Sequence, residues 1–504
     1  MRSLPLLLLA ATALVPACTP RKAHVAPPVS PEPPPTEVVD PAAAQDPTRL
    51  EPVELEVSTE LSNRTVVAQR AGEVFARIEV RAPAPGDSPR PRANVGLVVD
   101  TSASMRGDAI ARAREAALTL LEGLSEGDVL CVVAFGSAVE VLVPATALDE
   151  GSRPRIRAAI EGMEATGTTD LAGGLQAGLQ QVQGGARPDQ INRLVLLSDG
   201  VPNDETPIVN LAQVARNSGV SITALGLGLE YHETLLGQLA QVSGGKFHFI
   251  EEPAEVAAVF RDEVLSIEQL AARSLSVTLT PGPGVSIVDV PGLSVGRSGR
   301  QAVVGLPDLA QGKTLQLVVK LAVGEHRDGA TVELLDGVVG YVDARTGQGQ
   351  QQRTFVAATA TADAAEHEAG MNLPVAVAAA RATTAAATLH IVSLARSGQV
   401  DEARRTLDQT VAQAKALSKK MPDSELARLV DDLVELRPTL PGLAPPPPPK
   451  VAKQPTPLPG HRPAPSGSTR AEPLVDAGNV GLSATGARSV RATHERAYRT
   501  LNGG

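Results

Sequence analysis

The sequence has no tryptophan, three tyrosines and six phenylalanines in 504 residues. That scarcity argues against stacked aromatic platforms for sugars or single-stranded nucleic acid. Cysteine is confined to Cys18 and Cys131, and no Cys or His is placed to favour zinc. Basic charge is in deficit: the net charge is −10 and the pI near 5.4, so the footprint that nucleic-acid binding requires is missing. Long apolar runs are lacking as well. The stretch from Pro374 to Ala395 comes closest to a membrane span, but Arg381 and His390 interrupt it. What is abundant is small and flexible. Forty-one prolines and forty-five glycines point to extended spacers around folded parts. The 43% apolar content, rich in Ala and Val, suffices for two or three cores in a chain of this length.

The N-terminus reads as an export signal. Arg2 is a short basic region, Leu4 to Leu14 an apolar core too short to span a bilayer, and Val15-Pro16-Ala17-Cys18 follows. A small residue followed by Cys at the cleavage point resembles a bacterial lipobox, with Pro16 where a small or aliphatic residue is usual. That resemblance implies removal of residues 1–17 and lipidation of Cys18. Thr19 is not the Asp type of inner-membrane retention signal, so the outer membrane is favoured in a diderm. Cys131, in the apolar run Val129 to Val133, then has no disulfide partner and reads as a buried, inert thiol.

Composition and periodicity divide the rest. Residues 18–51 form a Pro-rich spacer. Residues 52–90 alternate as strands, with Val53, Leu55 and Val57 on one face and Val74, Ala76, Ile78 and Val80 on another. From 91 to 266 short apolar strands alternate with helices. This is the pattern of an α/β, doubly wound, mostly parallel sheet covered on both faces. The Gly136-Ser137 turn predicts one antiparallel edge strand over Val139 to Val143. Residues 267–360 return to a period of two and predict a flanking β-sandwich, which the strands of 52–90 would complete around an inserted α/β unit. Residues 361–438 are helical, with Ala403, Leu407, Val411 and Ala414 on one helix face and Leu426, Leu429, Leu433 and Leu436 on another. Pro422-Asp423-Ser424 breaks and caps between them. Residues 439–504 are a Pro-rich spacer and tail, with weak helical character near Thr493 to Leu501.

Three separated segments of the α/β region carry oxygen-bearing side chains: Asp100-Thr101-Ser102-Ala103-Ser104, Gly167-Thr168-Thr169-Asp170 and Leu197-Ser198-Asp199-Gly200. Each follows an apolar strand or opens a helix, and ligands of open α/β sheets bind where such loops converge. Taken singly, an Asp-x-Ser-x-Ser is usually a helix cap and a Ser-Asp-Gly a turn. Taken together, in this order, they offer hydroxyls and carboxylates that suit a hard cation, Mg²⁺ or else Mn²⁺ or Ca²⁺.

In these residues the region from about Arg92 to Leu265 resembles the von Willebrand factor A domain with its metal-ion-dependent adhesion site. The resemblance implies that Asp100, Ser102, Ser104, Thr169 and Asp199 hold the metal. Thr169 is preferred to Thr168 because the family's Thr precedes Asp or Asn, and Ala103 replaces a frequent Gly. The stretch Phe247-His248-Phe249-Ile250-Glu251-Glu252-Pro253, leading into a helix, is similar to bacterial envelope proteins related to calcium-activated chloride channel-like and inter-alpha-trypsin inhibitor heavy chain-like families. An acidic side chain of a protein partner would complete the site.

Signatures of catalysis fail on inspection. Gly312-Lys313-Thr314 ends like a phosphate-binding loop, but Pro307 occupies the first glycine's place. His367-Glu368 and His494-Glu495 lack the second His of a zinc protease, and no Gly-x-Ser-x-Gly occurs. No His lies in the three segments to activate Ser102 or Ser104, and His232 and His248 read as surface or packed residues. The expectation is therefore a non-enzymatic, metal-dependent adhesion or scaffold lipoprotein of the cell envelope. A structural subunit with a stabilising metal and a metal-dependent hydrolase are the alternatives.

Overall fold

The computed structural model describes residues 51–86, 90–187, 189–200, 206–228, 231, 233–444 and 482–502. Cys18, the leader over 1–17, nearly all of the spacer over 18–51 and His232 lie outside the described residues.

Two chemistries of strand occur, and each has its own sheet environment. The strands Arg92–Asp100, Val129–Phe135, Gln190–Ser198, Val220–Leu227 and Phe247–Ile250 are almost continuously buried, with apolar runs at their centres, and pair in parallel. Val139–Ala147 joins them antiparallel at one edge, as its tight turn requires. Helices cover both faces. Val95, Leu97 and Val99 point to one side and pack with Ile110, Leu120 and Phe260 of the helices Asp108–Gly123 and Val256–Glu268. Val98, Leu194 and Leu196 point to the other and pack with Leu171, Leu175 and Leu179 of Leu171–Gly185, and with Ile208 and Leu235 beyond. The Leu171–Gly185 helix lies unusually close to the sheet. A Cβ on Gly178 would stand 2.4 Å from Val98, and one on Gly174 would stand 2.6 Å from the Phe135 ring.

Strand order is what positions the site. In the order Val139–Ala147, Val129–Phe135, Arg92–Asp100, Gln190–Ser198, Val220–Leu227, Phe247–Ile250, the chain leaves Arg92–Asp100 to one side and later returns to Gln190–Ser198 on its other side. A crevice opens at that reversal, outside the carboxyl ends of the two strands.

The period-two strands form a sandwich. Glu56–Leu61 pairs with Gly72–Arg81, which pairs with Thr314–Val323 and, through it, with Val285–Asp289. The facing sheet runs Val295–Ser298, Gln301–Gly305, Leu270–Pro281, Thr331–Asp343, Gly349–Thr361 and Thr65–Val67, with Leu309–Ala310 also on Leu270–Pro281. The α/β domain is thus inserted between strands of the sandwich. Several strands are longer than their apolar runs: Gly349–Thr361 includes Gln350, Gln351, Gln352 and Arg353, whose polarity hides the pattern.

Among the described residues four longer helices make the third layer: Leu373–Arg396, Val400–Lys420, Ser424–Leu436 and Ala484–Asn502. Asp423 caps Ser424–Leu436 by accepting from Leu426 N at 2.8 Å. Leu373–Arg396 is the one helix among the described residues long and apolar enough to cross a membrane, and it packs within this layer. The helix expected near Thr493 to Leu501 is longer and more deeply set than its sequence suggests. It buries Val490, Arg491, His494, Ala497 and Tyr498 against the α/β domain and the other helices. Arg491 donates to Tyr231 O at 3.0 Å and lies 5.0 Å over that ring, while Tyr498 donates to Gly245 O at 3.2 Å.

A buried ionic cluster ties the α/β domain to the sandwich. Arg193, fully within the protein, donates to Glu263 at 3.0 Å and to Asp308 at 2.9 Å. Glu263 also receives Thr223 Oγ1 at 2.8 Å and Lys246 Nζ at 3.1 Å. Burial alone would raise the Glu263 carboxyl, but Lys246, His248 and Arg193 outweigh it and hold it well below the ordinary range. A depressed carboxyl stabilises the fold above its unfolded pKa, and the benefit fades as pH falls through the folded value. Glu263→Gln is expected to lose about 3–5 kcal/mol of stability at pH 7. In denaturant titrations the gap to the natural protein should narrow below a pH of about 4; a gap that is constant with pH would refute the ionic account.

Candidate metal centre

Asp100 ends the central strand and is fully buried. Its Oδ1 accepts from Ser102 N at 2.8 Å and its Oδ2 from Ser198 Oγ at 2.7 Å. The chain then turns into a single 3₁₀ turn, Ala103–Met105, which presents two serines side by side with their hydroxyls 2.9 Å apart. Ser104 Oγ donates to Asp199 Oδ1 at 2.8 Å, bridging the first loop to the third. The second loop arrives through Thr169: a Cβ placed on Gly200 would stand 3.0 Å from Thr169 Oγ1 and 3.8 Å from Asp100 Oδ2. The five side chains singled out in the sequence therefore converge in the crevice at the strand-order reversal.

Backbone hydrogen bonds knit the loops independently of those side chains. Thr101 N donates to Phe135 O at 2.7 Å, Ala103 N to Gly167 O at 3.0 Å, Thr166 N to Thr101 O at 2.6 Å and Asp170 N to Gly136 O at 3.1 Å. Gly167 has φ +83°, and a Cβ there would stand 2.2 Å from Ser137 Oγ, so glycine is needed for both reasons. Thr168 is turned to Ser137, whose hydroxyl accepts from Thr168 N at 2.9 Å. Asp170 caps the following helix through Gly173 N at 3.0 Å. Two adjacent threonines and an aspartate thus divide the work: one residue sits at the site and two fix the loop.

Ser198 is the residue that sequence reasoning passed over. In sequence it is only a polar residue that closes the apolar run Leu194 to Leu197, next to Asp199. His248, half-buried, stands 3.6 Å from Glu263 in the ionic cluster and not at the crevice. Burial pushes the Cys131 thiol up to about 12, in keeping with an inert core cysteine.

The electrostatics of the crevice are one-sided. Burial pushes the Asp100 carboxyl upward, and the hydrogen bonds from Ser102 and Ser198 only partly offset it; among the described residues no basic side chain contributes. No cluster of three or more His, Cys, Asp or Glu among the described residues could hold a metal. A cation taken here would rely on hydroxyl oxygens beside two carboxylates, a donor set that fits a hard divalent ion. Ser102 and Thr169 are buried, Asp199 is half-buried and Ser104 is exposed, so the cleft is closed below and open above.

Residues 94–262 match the von Willebrand factor type A domain. This VWA domain covers a third of the chain. An uncharacterized protein of Synechocystis sp., sll0103, is 31% identical over 216 residues, spanning 42% of this chain and 51% of its own length. Inter-alpha-trypsin inhibitor heavy chain H1 of Sus scrofa is 30% identical over 178 residues, spanning 32% of this chain and 19% of its own. The chain thus spans about half or less of these curated relatives. Among solved structures, a von Willebrand factor type A protein from Catenulispora acidiphila superposes with a TM-score of 0.64 at 18% identity, covering 88% of this chain and 98% of that one. The likeness is one of fold, and its coverage takes in the sandwich and helical layers as well as the VWA domain.

A raised carboxyl pKa means that the fold favours the neutral acid, so ionised Asp100 costs stability as pH rises through its folded value. In EDTA at pH 7, Asp100→Asn is expected to be more stable than the natural protein by about 0.5–2 kcal/mol. Urea unfolding measures this, and a less stable variant would show that the buried charge is already compensated.

Proposed function

We propose that this protein is a non-enzymatic, metal-dependent binding protein of the bacterial cell envelope, serving adhesion or scaffolding. Asp100, Ser102, Ser104, Thr169 and Asp199 would hold Mg²⁺, with Mn²⁺ or Ca²⁺ as substitutes. The observation that carries this reading is the buried Asp100 carboxylate, unmatched by any basic side chain among the described residues and set beside hydroxyls that open to solvent at Ser104. A divalent cation supplies charge compensation for such a carboxylate and a position that an outside oxygen ligand can fill. With few protein carboxylates at the site, an acidic side chain of a partner protein is the complementary ligand. Ser102 and Ser104 orient one another and Asp199, and no described histidine bonds to either as a base would. The lipobox-like Val15-Pro16-Ala17-Cys18 supports export and attachment to the membrane through a lipid on Cys18, at the outer membrane in a diderm.

Calorimetric titration of the apo-protein with MgCl₂ or MnCl₂ should give one saturable site, absent in Asp100→Ala. Envelope extract passed over the immobilised protein should yield a partner in Mg²⁺ that is lost in EDTA and with Asp100→Ala. If chelation lowers the melting temperature but leaves partner capture intact, the metal is structural and the adhesion reading fails. Labelling cells with radioactive palmitate should mark the natural protein and not Cys18→Ala, which should also leave the membrane fraction; equal labelling of both would remove the anchor from the proposal.

A further inference from the structure

Away from the VWA domain, a groove of about 750 Å³ lies between the sandwich and the helices Leu373–Arg396 and Val400–Lys420. Small-molecule sites occupy roughly 300–1,000 Å³. The walls are mainly apolar: Val66 and Phe75 come from the sandwich, Leu373 and Ala380 from one helix, Ala414 and Leu417 from the other. Met371, Leu373 and Leu417 stand 52%, 50% and 37% exposed, which is unusual crowding of large apolar side chains at one surface. The helix they adjoin is the most apolar of the described residues, yet only 44% of its most apolar window is buried.

Charge and shape narrow the occupant. Three basic side chains line the groove, Arg70, Lys320 and Lys420, against one carboxylate, Glu73, which Lys320 already pairs at 2.9 Å. This local positive excess stands out in a chain of net charge −10. The segment of helix along the groove, Leu373 to Ala387, is about 21 Å long at a rise of 1.5 Å per residue. Two of the walls are helix faces, whose backbone groups are bonded within the helix, so a peptide would find few partners there for its own amides. A hydrocarbon chain carries no such groups.

We infer that this groove binds a long-chain fatty acid, its acyl chain against the helices and its carboxylate at the basic rim. The site is independent of the metal centre, so the two readings stand or fall separately. The test uses the full chain with Cys18→Ser, purified without detergent and stripped of lipid, in displacement of the fluorescent fatty acid cis-parinarate by palmitate. Saturable one-site binding is expected, unchanged by Mg²⁺ or EDTA. Shortening the competitor by two carbons should weaken it about tenfold. Methyl palmitate, which lacks the charge, should compete at least tenfold more weakly than palmitate. Thr383→Trp, at an exposed position lining the groove, should abolish binding while retaining the circular-dichroism melting curve. Arg70→Glu with Lys420→Glu should weaken palmitate about tenfold and leave methyl palmitate unchanged. Unsaturable binding, equal titration of the natural protein and Thr383→Trp, or indifference to the carboxylate would overturn the assignment. Uptake of the protein by neutral phosphatidylcholine vesicles without palmitate competition would assign the surface to a membrane instead.

Discussion

The arrangement depends on one unfavourable placement, a carboxylate buried at the end of a doubly covered parallel strand. Asp100 sits where helices on both faces exclude water, and its oxygens accept from the Ser102 backbone N–H and the Ser198 hydroxyl. Burial of an ionised group with so little compensation is costly. The fold tolerates it because everything around Asp100 is held by other means. Backbone bonds tie the Thr101, Gly136 and Gly167 loops, and Gly178 and Gly174 let the Leu171–Gly185 helix settle onto the sheet. A site preorganised in this way loses little entropy when a ligand arrives. The strain falls on a single charge, and that charge is what an incoming cation would relieve.

The same economy is not applied to the ionic cluster on the far side of the domain. Arg193 and Glu263 are also buried and Asp308 is half-buried, but each charge is answered by an opposite one; Arg193 donates further to Ser221 and Ser266, and Thr223 donates to Glu263. One cluster is closed and the other is left open. Position explains the difference. Arg193 lies midway along the Gln190–Ser198 strand, facing the sandwich, where the inserted domain must keep its orientation. Asp100 and Asp199 lie at the opposite end of the sheet, where the chain reverses direction and, among the described residues, Ser104 stands exposed. The C-terminal helix adds a further tie through Arg491 and Tyr498 to the edge of the same sheet. A partner pulling on the crevice would therefore pull on a domain braced at its base and at one edge.

Much of this was legible from residue order, and the illegible parts share a cause. The apolar strands Val95 to Val99 and Leu194 to Leu197 announce a covered parallel sheet, and the loops after them announce the crevice. Thr169 was separable from Thr168 by its neighbour Asp170, and the backbone shows why: Thr168 and Asp170 serve the loop itself. What stayed hidden was carried by polar residues in buried places. Ser198 supports Asp100 but reads as part of a turn. The Ala484–Asn502 helix buries Arg491, Thr493 and His494 beside Val490 and Ala497, so its apolar stripe is broken by residues that ordinarily face water. The Thr65–Val67 strand is three residues long and pairs in parallel with Thr359–Thr361, too short to show a period.

Leu373–Arg396 is a further case of this kind, and it bears on how the layers divide their labour. Its alanines and threonines on all sides give a sequence that fits a buried helix or a membrane span equally well. Packing decides between them only in part. Ile391, Val392 and Leu394 enter the helical core, whereas the N-terminal turns leave Leu373 exposed beside the groove. Had its sole purpose been to support the layer, larger side chains at Ala376, Ala380 and Ala387 would have filled the space against the sandwich and gained burial. Small residues there forgo that stabilisation and keep a cavity open, at the opposite character from the hydroxyl-lined crevice. The polar cleft and the apolar groove lie in different layers, one at the strand ends of the VWA domain and one between sandwich and helices. Chemistry at either can therefore vary without disturbing the core that supports the other.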